Sequence, residues 1–379
     1  MHYFIYAQKD ATIYSGSVQG SGKKLEEQNT GADSVLELQR LQPTLLDSTS
    51  TVSRILLNFN LKSLKTDVDN GVIPSTAKYC LRLFNAQSTE IPFEDTIYAY
   101  PLSQSYEMGI GKFDDVPITK NGVTWSWPDV SGSVASQTWT TGGNYYTSSD
   151  GNNTMLESSQ SFEAQSPDLN IDVTTIVTEM LQDDYFANGF VDDGYADEGE
   201  PNHGFLLKRS DSDENGTTDL GNLQFFSADT NTIYVPRLEV KWDDVTYNTG
   251  SLTEIDPSAD VDVYMKGLRN TYMEKSEPRF RLVFRERYPS RTIYKTPQDV
   301  VTKVLPSGSA FYSIRDAHTE EVLFDFSEYT GISSDSNGNY FNLKLDGLQP
   351  ERHYKIIYKV TASGSVNFYD NDFSFKVVR

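Results

Sequence analysis

The side chains of this chain that could do chemistry fall into three groups. In the first, the run Asp211-Ser-Asp213-Glu-Asn215-Gly216-Thr-Thr-Asp219 sets oxygen donors at positions 1, 3, 5 and 9 of a loop, with glycine at position 6. That spacing matches the front of a calcium loop, where Ca²⁺ gathers oxygens on a flexible turn and offsets carboxylate repulsion. Position 12 is Asn222 rather than Glu, and no helical pattern flanks the run. A solvated acidic hairpin loop accounts for the same residues, since Asp, Asn and Gly all favour turns. In the second group, Arg279, Arg281, Arg285 and Arg287 share one face of an alternating strand, with Leu282 and Phe284 on the other. Guanidinium forks suit the carboxylates of a neighbouring subunit, so this face is a candidate docking surface. An exposed edge strand, kept from mispairing by charge, is the competing explanation. In the third, Trp125, Trp127 and Trp139 lie in a Ser/Thr/Gly/Asn-rich stretch, either as a glycan-stacking platform or as loop core.

Acid–base chemistry near neutral pH is poorly provided for. The chain has four histidines, His2, His203, His318 and His353, and none stands in a recognisable nucleophile, zinc-protease or phosphate-loop motif. Paired carboxylates would suffice for glycoside hydrolysis, but with 54 acidic residues some pairs fall close by chance. The expectation is a protein that is not an enzyme and requires no cofactor, with Ca²⁺ as the one candidate ligand ion. The single cysteine, Cys80, lies in an alternating strand and reads as a buried, inert thiol. Residues Asp192, Asp193, Asp197, Glu198 and Glu200 have irregular spacing and read as a solvated loop.

The elements that must position these groups are strands. Aromatics are plentiful, with 23 Tyr and 20 Phe among 379 residues, and long amphipathic helical patterns are scarce. Asn202–Ser210 and Tyr234–Trp242 alternate apolar and polar residues, and Pro236 sits where a strand begins. One short helix is expected after Asp172, with Ile176, Val177, Met180 and Leu181 on one face. Residues 246–258 lose the alternation and read as a linker between a domain at 1–245 and another at 259–379. The second domain offers seven short strands, at Val261–Lys266, Arg279–Arg287, Ala310–Asp316, Val322–Phe326, Tyr340–Leu345, Tyr354–Thr361 and Asp372–Val378. The fold class is therefore all-β, two sandwiches.

The net charge of −22 resides before residue 255; beyond it acidic and basic residues balance. An acidic body repels phosphate backbones, so no nucleic-acid partner is expected. No apolar run reaches the length of a membrane helix, and the first ten residues lack the basic region of a secretory signal. Synthesis and folding in a reducing cytoplasm, with no membrane partner, is the expectation.

Several segments carry a resemblance. Ala11–Tyr14, Ser53–Leu61, Ser75–Leu83, Ile171–Val177 and the closing Asn-x-Gly-Phe-x-Leu, Phe-Phe-Ser and Pro-Arg-Leu-x-Val-x-Trp blocks resemble, in order, the DNRLRE-type domain, a β-sandwich module allied to carbohydrate-binding modules. The resemblance spans residues 1–245 and implies a jelly-roll-like sandwich with long loops. Insertions around 105–165 and 190–200 depart from the family, so no loop function is carried over. Leu348-Gln-Pro350-Glu-Arg-His-Tyr354 resembles the tyrosine corner of fibronectin type III domains, implying an immunoglobulin-like second sandwich, although this half has no Trp. The segments VYMKGLRNTY, RFRLVFRERYPSRTI, GNYFNLKLDGLQPERHYKI and FSFKVV are similar to virion structural proteins of tailed phages related to the T4-like marine group. That resemblance implies a component of neck, tail, fibre or capsid decoration, located in the virion. It would be present in many copies or as a homo-oligomer beside other virion proteins. The competing expectation is a carbohydrate-binding module that recognises host-surface glycans.

Overall fold

The computed structural model describes residues 1–18, 23–42, 51–89, 94–130, 139, 142–148, 155–163, 168–182, 202–256, 260–288, 301–362 and 365–379. The acidic stretch from Asp192 to Glu200 and the end of the expected linker, 257–258, lie outside them. The chain is all-β and divides into two compact units, Ile5–Glu239 on one side and Met1–Phe4 with Val240–Arg379 on the other.

In the Ile5–Glu239 unit the organising strand is Thr51–Phe59, buried along nearly its whole length. It pairs antiparallel with the strand His2–Tyr14 through Ala11↔Leu56 and Ile13↔Arg54, and on its other side with Phe205–Lys208 through Leu206↔Leu56. The sheet continues through Glu94–Pro101 to Ser158–Glu163 at one end, and through Arg237–Lys241 and Lys78–Leu83 to Leu169–Asp172 at the other. A branch leaves Thr51–Phe59 at Arg40↔Val52 and carries Val35–Leu41, Gly221–Phe226 and Asn85–Thr89. The motif Asn202-His-Gly204-Phe205 has a local cause. Gly204 has φ 106°, and a Cβ there would lie 2.3 Å from the Leu57 carbonyl oxygen, so only glycine lets the strand approach so closely.

The expected short helix is present as Thr174–Met180, with Ile176, Val177 and Met180 buried; the Asp172 carboxylate accepts the Thr174 N–H at 2.9 Å. Two further helices were not expected. Lys62–Asp69 buries only Leu64, too little apolar surface to print a pattern on the sequence, and Asp211–Glu214 is a single turn capped by Ser210.

The other unit is a sandwich of two sheets. Four strands run in the order Val261–Lys266, Arg279–Glu286, Gly338–Asn342, Ser333–Asp335. Five run in the order Thr271–Met273, Ser365–Val378, His353–Ala362, Ala310–Asp316, Val322–Phe324. Their inner faces share one core, in which Phe280, Leu282, Phe284 and Phe341 of the first sheet meet Tyr312, Ile314, Tyr358 and Phe375 of the second. The Tyr354 hydroxyl donates to the Gln349 carbonyl at 2.9 Å, the hydrogen bond of a tyrosine corner.

Residues 246–256 do not run free. Thr246 and Asn248 donate backbone N–H groups to Ser333 Oγ and the Ser334 carbonyl, Ile255 donates to Val304, and the Ile255 side chain is buried in the core. Their turn-rich composition reflects a chain following a sheet margin in short bridges rather than a spacer. Phe4 belongs to the same core, packed at a tilt against Phe324 with ring centroids 5.0 Å apart.

Candidate functional site

Parts of two sequence-selected groups, the acidic run and Trp125, meet at one place in the Ile5–Glu239 unit, brought together by Arg54 and Lys208. Arg54 and Lys208 stand in neighbouring strands with side chains almost wholly buried. Arg54 makes a two-pronged contact with Glu214, Nε to Oε1 at 3.1 Å and Nη2 to Oε2 at 2.7 Å, and its Nη1 donates to the Gly142 carbonyl at 2.7 Å. Its guanidinium lies 4.9 Å from the centre of the Trp125 ring, a cation–π distance. Gly142 packs flat against that ring, where any Cβ would lie about 2.4 Å from it, so the glycine seats the indole. Lys208 reaches Asp211 and, at 3.2 Å, Glu214, with the Tyr145 ring centre 5.4 Å away. Burial pushes the Lys208 ammonium down, but the Glu214 and Asp211 carboxylates outweigh it and hold its pKa above the usual lysine value. The hydrogen bond from Lys208 holds the Asp211 carboxyl below its usual range.

These contacts account for the candidate calcium ligands one by one. Asp211 is bonded to Lys208 and Asp213 to the Ser210 hydroxyl. Asn215 donates to the Asp211 carbonyl, and Asp219 accepts from the Gly221 and Gln42 backbones. The backbone carbonyls of Asp213 and Gly216 accept from Arg40. A helical turn, Asp211–Glu214, takes the place of a wrapped loop, and Lys208 holds the first of the four candidate side chains. Among the described residues no group of three His, Cys, Asp or Glu is placed to hold a metal.

The tryptophans divide. Trp139 is buried in a cluster with Ile13, Leu56, Tyr100, Leu102 and Leu206, so it is core. Trp125 is half-buried and packs on that cluster beside Tyr98 and Tyr145, while Trp127 is half-buried and closes a turn by accepting the Thr124 N–H at 2.8 Å. The neighbouring Tyr100 hydroxyl donates to Glu157 at 2.6 Å, and burial, then Glu157, pushes its pKa well up. The surface here is aromatic with carboxylates at its margin, Asp211 and Glu157.

The arginine strand is an interior strand, paired with Val261–Lys266 on one side and Gly338–Asn342 on the other, which overturns the edge-strand explanation. Its alternation holds, with Phe280, Leu282 and Phe284 turned to the core. The outward forks close on carboxylates of the same unit. Arg281 bridges both oxygens of Asp335 at 3.0 and 2.8 Å, and Arg285 holds Asp262 at 2.7 Å. Arg279 bonds Asn342 and lies 4.2 Å from the centre of the Tyr340 ring; Arg287 is exposed. Hydrogen bonding from Arg281 holds the Asp335 carboxyl below its usual range.

Arg54 and Lys208 left one signal in the sequence, a long cation beside apolar strand residues (Arg54-Ile55-Leu56-Leu57, Phe205-Leu206-Leu207-Lys208). Such a side chain must find a carboxylate, though the sequence does not say that Glu214 is the partner. No helix among the described residues is long and apolar enough to cross a membrane. Set against known proteins, the chain matches no family model, no curated protein and no solved structure.

Proposed function

We propose that this chain is a non-catalytic structural component of a tailed-phage particle that holds position and makes contacts through strand-built surfaces. The observation that carries the reading is how both units use their charged groups. The forks of Arg54, Arg209, Arg281 and Arg285 each close on a carboxylate of the same unit. Such closed pairs fix a frame and leave no adjacent acid and base poised for proton transfer among those residues. The phage-like segments noted above supply the particle, and the acidic first two thirds suits a protein displayed in many copies. Sedimentation of particles from a producing lysate tests it: the protein should travel with the particles through a density gradient, and a protein found only in the soluble fraction overturns the proposal.

A second reading, recognition of host-surface glycans, is favoured by the half-buried Trp125 beside Tyr98, Tyr145 and two carboxylates. Aromatic faces stack on sugar rings while carboxylates take their hydroxyls. On a glycan array the full chain should then retain a sugar that Trp125→Ala loses. No retention of any sugar leaves the structural reading alone.

A further inference from the structure

The four histidines fall into two kinds. His2 and His203 are core residues, 3% and 2% exposed. The other two are exposed and meet on the surface of the unit that contains Val240–Arg379. His318 lies in the turn after the strand Ala310–Asp316, and His353 opens the neighbouring strand His353–Ala362. Their ring centroids are 5.9 Å apart, at an interplanar angle of 80°.

The backbone beneath them is fixed independently of the rings. Asp316 is buried; its Oδ1 accepts the N–H groups of His318 at 2.9 Å and Thr319 at 3.0 Å, and its Oδ2 takes the Arg352 Nε–H at 2.8 Å. The Ala317 N–H donates to the His353 carbonyl at 2.9 Å, tying the turn to the strand. Two imidazoles are thus presented side by side on a rigid corner.

Neutral imidazole is the preferred protein ligand of borderline divalent ions. With metal–nitrogen bonds of about 2.0 Å, two rings on one tetrahedral ion have centres roughly 5 Å apart. The observed separation is close enough for small side-chain rotations to close it. We propose that His318 and His353 form a two-histidine site for a borderline divalent cation, Zn²⁺, Ni²⁺ or Cu²⁺. Among the described residues no third His, Cys, Asp or Glu completes a cluster, so water fills the remaining positions. Hard, oxygen-seeking Ca²⁺ is not its ion. The site stands apart from the structural role proposed above and from the Arg54–Glu214 cluster.

The test is calorimetric titration of the full chain with ZnCl₂ and, separately, NiCl₂ at pH 7.5. One saturable site is expected, with His318→Ala and His353→Ala each weakening it roughly tenfold or more and the double variant abolishing it. Both residues are exposed, so the variants should keep the parent far-ultraviolet circular dichroism. Unchanged binding in either single variant, or no saturable binding by the parent, overturns the proposal.

Discussion

Asp10 is 1% exposed, with one carboxylate oxygen taking the Ala228 N–H at 2.6 Å and the other buried without a donor among the described residues. Burial pushes its pKa up to about 7, against the hydrogen bond from Ala228 and with a smaller push from Asp229. The folded state therefore favours the protonated form. Its contribution to stability is complete below the ordinary carboxylate range and is lost as pH rises from about 4 through about 7. Asp33, raised by burial to about 6, acts in the same direction. An amide mimics the neutral carboxyl, so Asp10→Asn should flatten this dependence and raise stability at pH 8 by roughly 2 kcal/mol in urea unfolding. A pH profile identical to the parent would rule the assignment out. Arg209 and Asp95 test burial from the other side, since both side chains are nearly inaccessible and joined at 3.0 Å. Arg209→Met strands the Asp95 charge and should destabilise by roughly 3–5 kcal/mol, whereas the double change to Met and Leu should restore most of that. Additive losses in the double variant would contradict the pairing.

At the scale of elements, one side chain makes four of the bonds that hold the segment after Pro101. Asn29, fully buried, donates to the carbonyls of Met108 and Val123 and accepts the N–H groups of Gly31 and Gly111. Asn29→Ala removes all four bonds and should open the segment Tyr106–Val123 to proteolysis while the strands of the sheet stay protected from hydrogen exchange. Equal protection of segment and sheet would show that the loop stands without Asn29. The strands themselves were largely legible. Val261–Lys266 and Ala310–Asp316 match the sequence reading residue for residue, because each has one buried face and so alternates. Ser365–Asn371 was not legible: most of it is exposed, so the strand begins seven residues before the expected one. The candidate site was half legible. Trp125 and the acidic run stood out by composition, but Glu214 lies 160 residues from Arg54, and no spacing rule spans that distance.

At the scale of the whole molecule, sequence order and folding units do not coincide, because Met1–Phe4 belongs with Val240–Arg379. The amino-terminal ammonium donates to the Tyr329 carbonyl at 2.6 Å and pairs with Asp244 at 2.8 Å, and Phe4 fills the core beside Phe324. Burial holds that ammonium below its usual pKa despite Asp244. Phe4→Ala should therefore destabilise the Val240–Arg379 unit by roughly 3 kcal/mol, with little effect on Ile5–Glu239. Hydrogen exchange read separately over the two units distinguishes this from a uniform loss, which would contradict the division. The same two units underlie the proposed role, in which their strand-built surfaces make contacts and do no chemistry. Absolute quantitation of purified particles by mass spectrometry tests that role most directly. A fixed number of copies per particle, constant across preparations and retained through high-salt washing, is the expected result; variable traces that wash away would contradict it.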